Sequence, residues 1–164
     1  RVIATEDMVE KIKVACDARE DKDNFLIIAR TDARQSEGLD GALRRLDAYA
    51  KAGADIIFPE ALESEEEMAM ACARFDKPVM ANMSNGGSTP VPVASVLAEI
   101  GYAYAIYPSL TSLAAARAME TALRNLKDHG IGEPDDLFSF SEFCSLIGFE
   151  DVWAFERKWG QAPE

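Results

Sequence analysis

Four short apolar runs recur along this chain, and a helical pattern follows each of them. The runs are "NFLIIA", "ADIIFPE", "KPVMANM" and "YAYAIYP". Nearly uninterrupted apolar runs of this length are typical of strands that are covered on both faces, as in a parallel sheet. Parallel neighbours need a crossover connection, and a helix usually supplies it. The repeat therefore predicts an α/β fold built on a parallel sheet.

The segments between the runs carry clear helix signals. The stretch 36–53 places its apolar residues on one stripe and ends at Gly53, a common helix stop. Ser64 and Glu67 have the spacing of a capping box at the start of the next helix. We interpret the acidic run 63–67 as the solvated first turn of that helix. A further helix is predicted before the first strand, and a long one after the fourth.

The strand spacing favours a barrel. The runs recur at roughly 25 residues, close to the length of one unit of a (β/α)₈ TIM-type barrel, with a doubly wound sheet as the main rival fold. Four strands cannot close such a barrel, so the chain is either an open sheet or half of a barrel. It starts inside a helical pattern with no strand before it, which favours the C-terminal half. We predict this half-barrel domain over residues 1–130.

The last part of the chain has a different character. Residues 131–164 open with Gly and Pro and then become rich in Phe and Trp. Two short helices are predicted, near 139–147 and 149–159. Large aromatic side chains need a surface to bury against. We therefore expect this tail to dock on the barrel or on a second subunit.

Composition narrows the class of protein. The 17 basic and 29 acidic residues give a net charge of −12, which disfavours nucleic-acid binding. Neither a signal-peptide pattern nor an apolar run long enough to span a membrane is recognisable. Three widely spaced cysteines without a CxxC pair indicate a reducing compartment, with neither a disulfide framework nor a zinc site. The sequence predicts a cytoplasmic protein that binds neither nucleic acid nor membranes.

Polar residues stand where the predicted strands end. Arg30, Glu60, Asn82 and Ser109 each follow one of the four apolar runs or close it. The carboxyl ends of parallel strands meet at one rim, which is where α/β folds place their active sites. The planar guanidinium of Arg30 suits a carboxylate ligand. This pattern predicts a site that binds a carboxylate.

Each of these residues also has a structural interpretation. Arg30 could be a structural arginine paired with Asp32 or Glu60. Asp32 is better interpreted as an orienting or capping residue than as a group that acts directly. Asn82 could fix a loop. Thr89, just before Pro90, could cap the next helix, or its hydroxyl could contact an anion at the helix start.

Four stretches of the chain resemble motifs of a known family. "ARTDAR", "GLDGALRRLDAYAKAGADIIFPEAL", "PVMANMSNGGSTP" and "IYPSLTSLAAARAM" resemble, in this order, motifs of the isocitrate lyase / phosphoenolpyruvate mutase superfamily. The likeness covers about residues 1–129 and implies barrel units five to eight. Within the superfamily, the 2-methylisocitrate lyases, 2,3-dimethylmalate lyases and oxaloacetate-cleaving enzymes are the most similar group.

The resemblance implies roles for individual residues. Arg30 matches the arginine that grips a substrate carboxylate or phosphonate. Glu60 matches a glutamate near the substrate oxygen and is the expected catalytic residue. Asn82 matches the asparagine that binds a second carboxylate, with Thr89 as a helping hydroxyl. Ser109 is a weaker match. The aspartates that hold the metal, and a cysteine-containing catalytic loop, belong to the family's first half and match nothing here.

The resemblance also implies an activity. The expectation is a Mg²⁺-dependent lyase that cleaves the C2–C3 bond of a small 2-hydroxy di- or tricarboxylate to pyruvate or a related oxo acid plus a carboxylate. The magnesium ligands would come mainly from sequence outside this segment, and this fragment alone would be inactive. The family pattern also implies a homodimer or homotetramer that exchanges a C-terminal helix. P–C bond chemistry, oxaloacetate cleavage and a non-catalytic scaffold are the alternatives.

Overall fold

The computed structural model describes residues 2–134 and 137–160. Helices and strands alternate along most of this range, as the repeat of apolar runs predicted. In chain order the elements are α1 (Thr5–Ala18), β1 (Ile28–Thr31), α2 (Arg34–Ala52), β2 (Ile56–Pro59), α3 (Glu65–Arg74), β3 (Met80–Asn82), α4 (Ala94–Ile100), β4 (Tyr104–Ile106), α5 (Leu110–His129), α6 (Phe140–Leu146) and α7 (Phe149–Trp159).

The strands are parallel, which confirms that prediction. β1 pairs with β2, with Ile28 opposite Ile56, and β3 pairs with β4. A single parallel bridge between Ile57 and Val79 joins the two pairs. The spatial order of the strands therefore follows the chain order. All four strands direct their carboxyl ends to the same edge.

The core lies between the sheet and its helices. α2 contributes an apolar stripe to it, and the left-handed conformation of Gly53 (φ 114°) ends that helix as predicted. Ile57 in β2 and Met68 in α3 are fully buried. Leu62, in the loop between β2 and α3, is also buried. This packing fixes the loops that follow β1 and β2, because each loop is held at both ends by buried residues.

The chain separates into two compact units, Arg1–Leu113 and Ala114–Glu164. The division falls inside α5, whereas the sequence predicted a domain boundary after residue 130. α6 and α7 occupy the predicted positions in the tail, and Ser139 begins α6 with a full capping box. Phe140, Phe155 and Trp159 are exposed in the second unit. The docking of this tail stays a prediction.

No helix within the described ranges is long and apolar enough to cross a membrane.

Candidate functional site

A cavity of about 410 Å³ opens at the carboxyl ends of the strands. Arg30 reaches it from β1, Glu60 from the residue after β2, and Asn82 from the end of β3. Because β1 to β3 are parallel neighbours, three residues far apart in sequence converge at one edge. Thr89 also lines the cavity, from the loop between β3 and α4.

Arg30 is held by two carboxylates but keeps an open side. Its Nη2 lies 2.7 Å from Asp32 Oδ1, and its Nε donates to Asp32 Oδ2 at 3.1 Å. The same Nη2 lies 3.3 Å from Glu60 Oε2. The guanidinium carbon lies 5.2 Å from the centre of the Phe58 ring, a cation–π distance. Arg30 is ion-paired, as its structural interpretation predicted, and it also faces the cavity, as its interpretation as a ligand-binding residue requires.

The ionisation of Arg30 follows from these contacts. The hydrogen bonds to Asp32 raise its pKa most; burial opposes this effect, and the charges of Glu60 and Asp32 add to it. Arg30 is therefore a permanent cation. With its side chain 45% exposed, it has donors left for an anionic ligand. A fork of this geometry suits a carboxylate or a phosphonate.

Glu60 and Asn82 form the second part of the site. Asn82 Nδ2 lies 3.3 Å and 3.2 Å from the two carboxylate oxygens of Glu60. These are long hydrogen bonds by the usual standard. Asn82 Oδ1 is buried and has no hydrogen-bond partner among the described residues. A buried amide oxygen without a partner is uncommon.

The loop after β3 completes the wall. Ser84, Ser88 and Thr89 present hydroxyl groups along it, and the Gly87 amide donates to the Ser84 carbonyl at 3.2 Å. α4 begins at Ala94 after Val93, with no side-chain cap. The interpretation of Thr89 as a helix cap is therefore wrong, because the helix starts five residues later.

Ser109 follows β4 at the same edge of the sheet but does not line this cavity. It directly precedes α5, and its hydroxyl is buried without a hydrogen-bond partner in the described part of the chain. The residues that line the cavity do not include it. Its binding role remains a prediction from the family resemblance alone.

The sequence did not indicate that Gln35 and Ala61 line the cavity, nor which partner Glu67 binds. Gln35, in the first turn of α2, and Ala61 both line the cavity. Ala61 is the only described non-glycine residue with a positive φ, 59°. Glu67 is bound by Arg34 through two hydrogen bonds, so the solvated first turn expected for 63–67 is wrong at this residue. Position in the first helical turn could have revealed Gln35, whereas no local signal marks the other two.

A magnesium site is not completed by these residues. No group of three or more His, Cys, Asp or Glu in the described ranges is placed to hold a metal ion. Asp32 and Glu60 face the cavity, but both are engaged by Arg30. Oxygen ligands that are free of such pairing are what Mg²⁺ needs. The described residues alone therefore do not fit the ion.

Comparisons with known proteins agree on one family. The sequence model of the phosphoenolpyruvate phosphomutase family matches residues 1–127. The chain is 44% identical over 152 residues to 2-methylisocitrate lyase of Aeropyrum pernix, covering 92% of this chain and 48% of that protein. It is 43% identical over 161 residues to 2,3-dimethylmalate lyase of Eubacterium barkeri, covering 96% and 55%. The chain thus spans about half the length of these curated relatives.

Solved structures give the same answer for the fold. A crystal structure of 2,3-dimethylmalate lyase superposes with a TM-score of 0.85 at 28% identity, covering 96% of this chain and 56% of that one. Oxaloacetate acetylhydrolase in complex with the inhibitor 3,3-difluorooxalacetate gives 0.90 at 26% identity, covering 100% and 56%. Both are TIM-barrel-type proteins of the isocitrate lyase / phosphoenolpyruvate mutase superfamily. The coarse prediction of the fold and the family resemblance are confirmed.

Proposed function

Because the chain belongs to the phosphoenolpyruvate phosphomutase family, we propose that it is part of a carbon–carbon bond lyase. Its substrate is a small 2-hydroxy di- or tricarboxylate of the 2-methylisocitrate or 2,3-dimethylmalate type. The products are pyruvate or a related oxo acid and a second carboxylate. Relatives that are 36–44% identical carry the names 2-methylisocitrate lyase and 2,3-dimethylmalate lyase.

One observation carries the proposal: a cation, a carboxylate and an under-bonded amide share one cavity. Arg30 offers charged donors, and Asn82, whose amide oxygen has no partner among the described residues, lines the same cavity. Glu60 lies between them, within 3.3 Å of each. An acid with two carboxylates and a hydroxyl has the complementary groups. Polar groups fixed in advance in this way can orient the bond to be broken.

The residues divide the work as follows. Arg30 grips one carboxylate, and the Asn82 Nδ2 group and the Thr89 hydroxyl donate to another. Glu60 lies beside the substrate hydroxyl oxygen. As the Glu60 carboxylate accepts the proton of that hydroxyl, the C–O bond becomes a carbonyl and the C2–C3 bond breaks. The electron pair stays on the leaving carbon, which a general acid outside this chain protonates. Ser109 is retained as a weaker candidate for substrate binding.

We also propose that the lyase requires Mg²⁺ as a cofactor. The superfamily is generally Mg²⁺-dependent, and one solved relative is phosphonopyruvate hydrolase with oxalate and Mg²⁺, at TM-score 0.83 and 25% identity, covering 98% of this chain and 58% of that one. When bound, the ion would stabilise negative charge that develops on substrate oxygens. Its ligands are expected mainly from sequence beyond these residues.

The finer architecture is also proposed. We assign the four strand–helix units to barrel units five to eight, with the first half of the barrel supplied by further sequence. This assignment agrees with the coverage of about half of each relative. We further propose a cytoplasmic homodimer or homotetramer in which the C-terminal helices are exchanged between subunits. These 164 residues are then inactive alone.

Oxaloacetate cleavage is the second candidate, favoured by the TM-score of 0.90 to oxaloacetate acetylhydrolase. One experiment separates the two. The complete protein with Mg²⁺ is given 2-methylisocitrate, 2,3-dimethylmalate and oxaloacetate, and release of pyruvate or the related oxo acid and of oxalate is measured. Product from either hydroxy acid supports the lyase, and oxalate alone supports the second candidate. No product from any acid overturns both and leaves P–C bond chemistry or a scaffold.

A further inference from the structure

We propose that Arg34 and Glu67 form a positioning pair that directs Glu60 into the cavity. The inference rests on the proposed function for the importance of Glu60, but its geometry stands on its own. Arg34 is the first residue of α2, and Glu67 lies in the first turn of α3. The pair therefore ties the segment after β1 to the loop after β2. Neither residue is among those that line the cavity.

The contacts within the pair are short and paired. Arg34 Nε donates to one carboxylate oxygen of Glu67 at 3.0 Å, and Nη2 donates to the other at 2.6 Å. Both side chains are only 17% exposed. Parallel hydrogen bonds of this kind fix the relative orientation of the two planar groups. The hydrogen bonds from Arg34 lower the pKa of Glu67 against the opposing effect of burial, so the pair is ionised at neutral pH.

Glu67 also holds the backbone of the loop. The Glu63 amide donates to Glu67 Oε2 at 2.9 Å, and Arg34 Nη2 reaches the Glu63 side chain at 2.9 Å. The sequence predicted that the Glu67 side chain would close a capping box with Ser64. The Ser64 hydroxyl does accept from the Glu67 amide at 3.2 Å, but the Glu67 carboxylate serves Arg34 and Glu63 instead.

Between Glu60 and Glu63 the chain makes an unfavourable turn. Ala61 adopts a left-handed conformation, with φ 59°, that residues with a side chain rarely occupy. Such a conformation persists only where its surroundings hold it. Two anchors follow Ala61 directly: Leu62 is 1% exposed in the core, and the Glu63 amide is bound by Glu67. The strained turn, and with it the direction of Glu60, depends on this anchorage.

The chain provides a matched control. Arg74 and Asp47 join the same two helices near their other ends, with Nε of Arg74 3.2 Å and 3.1 Å from the Asp47 oxygens. Arg34 and Asp47 are 13 residues apart in α2, on opposite sides of the non-helical Gly38 (φ 72°, ψ 175°). Breaking this second pair removes a comparable link between α2 and α3 without touching the loop of Glu60.

The experiment compares Glu67→Gln with Arg74→Gln in the complete protein. We expect Glu67→Gln to lower kcat by about 10- to 100-fold with KM little changed, because a misplaced group of this kind costs that much. Arg74→Gln should leave both constants near those of the wild type. The charge swap Arg34→Glu with Glu67→Arg should recover part of the lost kcat. Equal kcat in both single variants at equal fractions folded would overturn the proposal.

A second measurement works whether or not an activity is found. Crystal structures of the two variants give the separation between Arg30 Nη2 and Glu60 Oε2, which is 3.3 Å here. We expect it to lengthen in Glu67→Gln, with a changed φ at Ala61, and to stay the same in Arg74→Gln. Unchanged geometry in Glu67→Gln would overturn the positioning role. If the wild type shows no turnover, by contrast, this result counts only against the proposed function.

Discussion

An arginine pairs with carboxylates at each end of the β1–β2 pair, but the two arginines differ in their exposure to solvent. At the amino end, Arg19 binds Asp55 and donates to the Phe25 carbonyl at 3.0 Å. The Ile27 amide donates to Asp55 Oδ2 at 2.8 Å. At the carboxyl end, Arg30 is likewise paired with carboxylates. The arginine at the amino end has a side chain that is 8% exposed, whereas the side chain of Arg30 is 45% exposed.

The difference distinguishes a structural ion pair from the proposed binding group. Asp55 is held by a backbone amide and a nearly buried cation, so its pairing serves to lock the start of β2 to the chain before β1. Arg30 keeps exposed donors beside a cavity that Asn82 also lines. Residue type alone does not distinguish the two ends. The exposure of the cation, beside a cavity lined by polar side chains, does.

The largest expected effect is on catalysis at the carboxyl end. Arg30→Ala in the complete protein should cost about 2–4 kcal/mol of transition-state stabilisation, because a charge-assisted fork to a carboxylate is lost. The urea midpoint should change little, since the side chain is half exposed. Steady-state kinetics and urea unfolding measure the two quantities, with Arg30→Lys as the conservative control. Near-normal kcat/KM in Arg30→Ala would exclude the proposed grip on substrate.

At the amino end the effect should fall on stability instead. Asp55→Ala removes the acceptor of the Ile27 amide and the partner of Arg19, and should destabilise the fold by about 2 kcal/mol. Urea unfolding followed by circular dichroism checks this value. At full folding, kcat/KM should match that of the wild type. A catalytic defect without a shift in the urea midpoint would reverse the contrast drawn between the two ends.

Asn82→Ala should have a smaller catalytic effect. The amide is uncharged, and a hydrogen bond from it to a carboxylate contributes about 1.5 kcal/mol, the lower end of the range for charged partners, so kcat/KM should fall by about 10-fold. Asn82→Asp is a sharper variant, because it places a second negative charge beside Glu60 and should repel an anionic substrate. If Asn82→Asp binds substrate as tightly as the wild type, measured as KM, the amide does not contact a carboxylate.

The smallest expected effect is on the pH dependence of stability, which tests the structural role of Asp55 at the amino end. Burial opposes ionisation of Asp55, but hydrogen bonds from Arg19 and the Ile27 amide outweigh it and lower its pKa below the ordinary value of 3.8. The ionised group therefore stabilises the fold above that value, and the contribution disappears as the pH falls through the lowered pKa. The urea midpoints of the wild type and Asp55→Asn should approach each other as the pH falls below 3.8 and through the lowered pKa. A gap that does not narrow over this range would contradict this account.

The sequence predicted the alternation of strands and helices well because each signal is local. Apolar runs marked the four parallel strands, and Gly53 marked the end of α2. The ends of the strands were less accurate: Phe25 and Leu26 belong to the first apolar run, yet both are exposed and precede β1. An apolar run extends a strand only where a neighbouring strand is available to pair with it.

The site could be predicted only where strand ends marked it. Arg30, Glu60 and Asn82 follow from the rule that parallel strands deliver residues to one rim. The pairing of Arg34 with Glu67 spans 33 residues and leaves no periodic pattern. Local capping rules therefore assigned Glu67 to the wrong partner. The left-handed turn at Ala61 is imposed by its anchored neighbours, and nothing in the identity of an alanine indicates it.

The outer strands carry a consequence for handling this polypeptide. Ile28 in β1, and Tyr104 and Ile106 in β4, are exposed at the two sides of the sheet. Apolar strands with an open side accept further strands through their backbone groups, which is the usual start of aggregation. The net charge of −12 opposes association. Even so, residues 1–164 by themselves should tend to aggregate during purification through strands β1 and β4. Low protein concentration and low salt are the conditions under which mutual repulsion acts best against it.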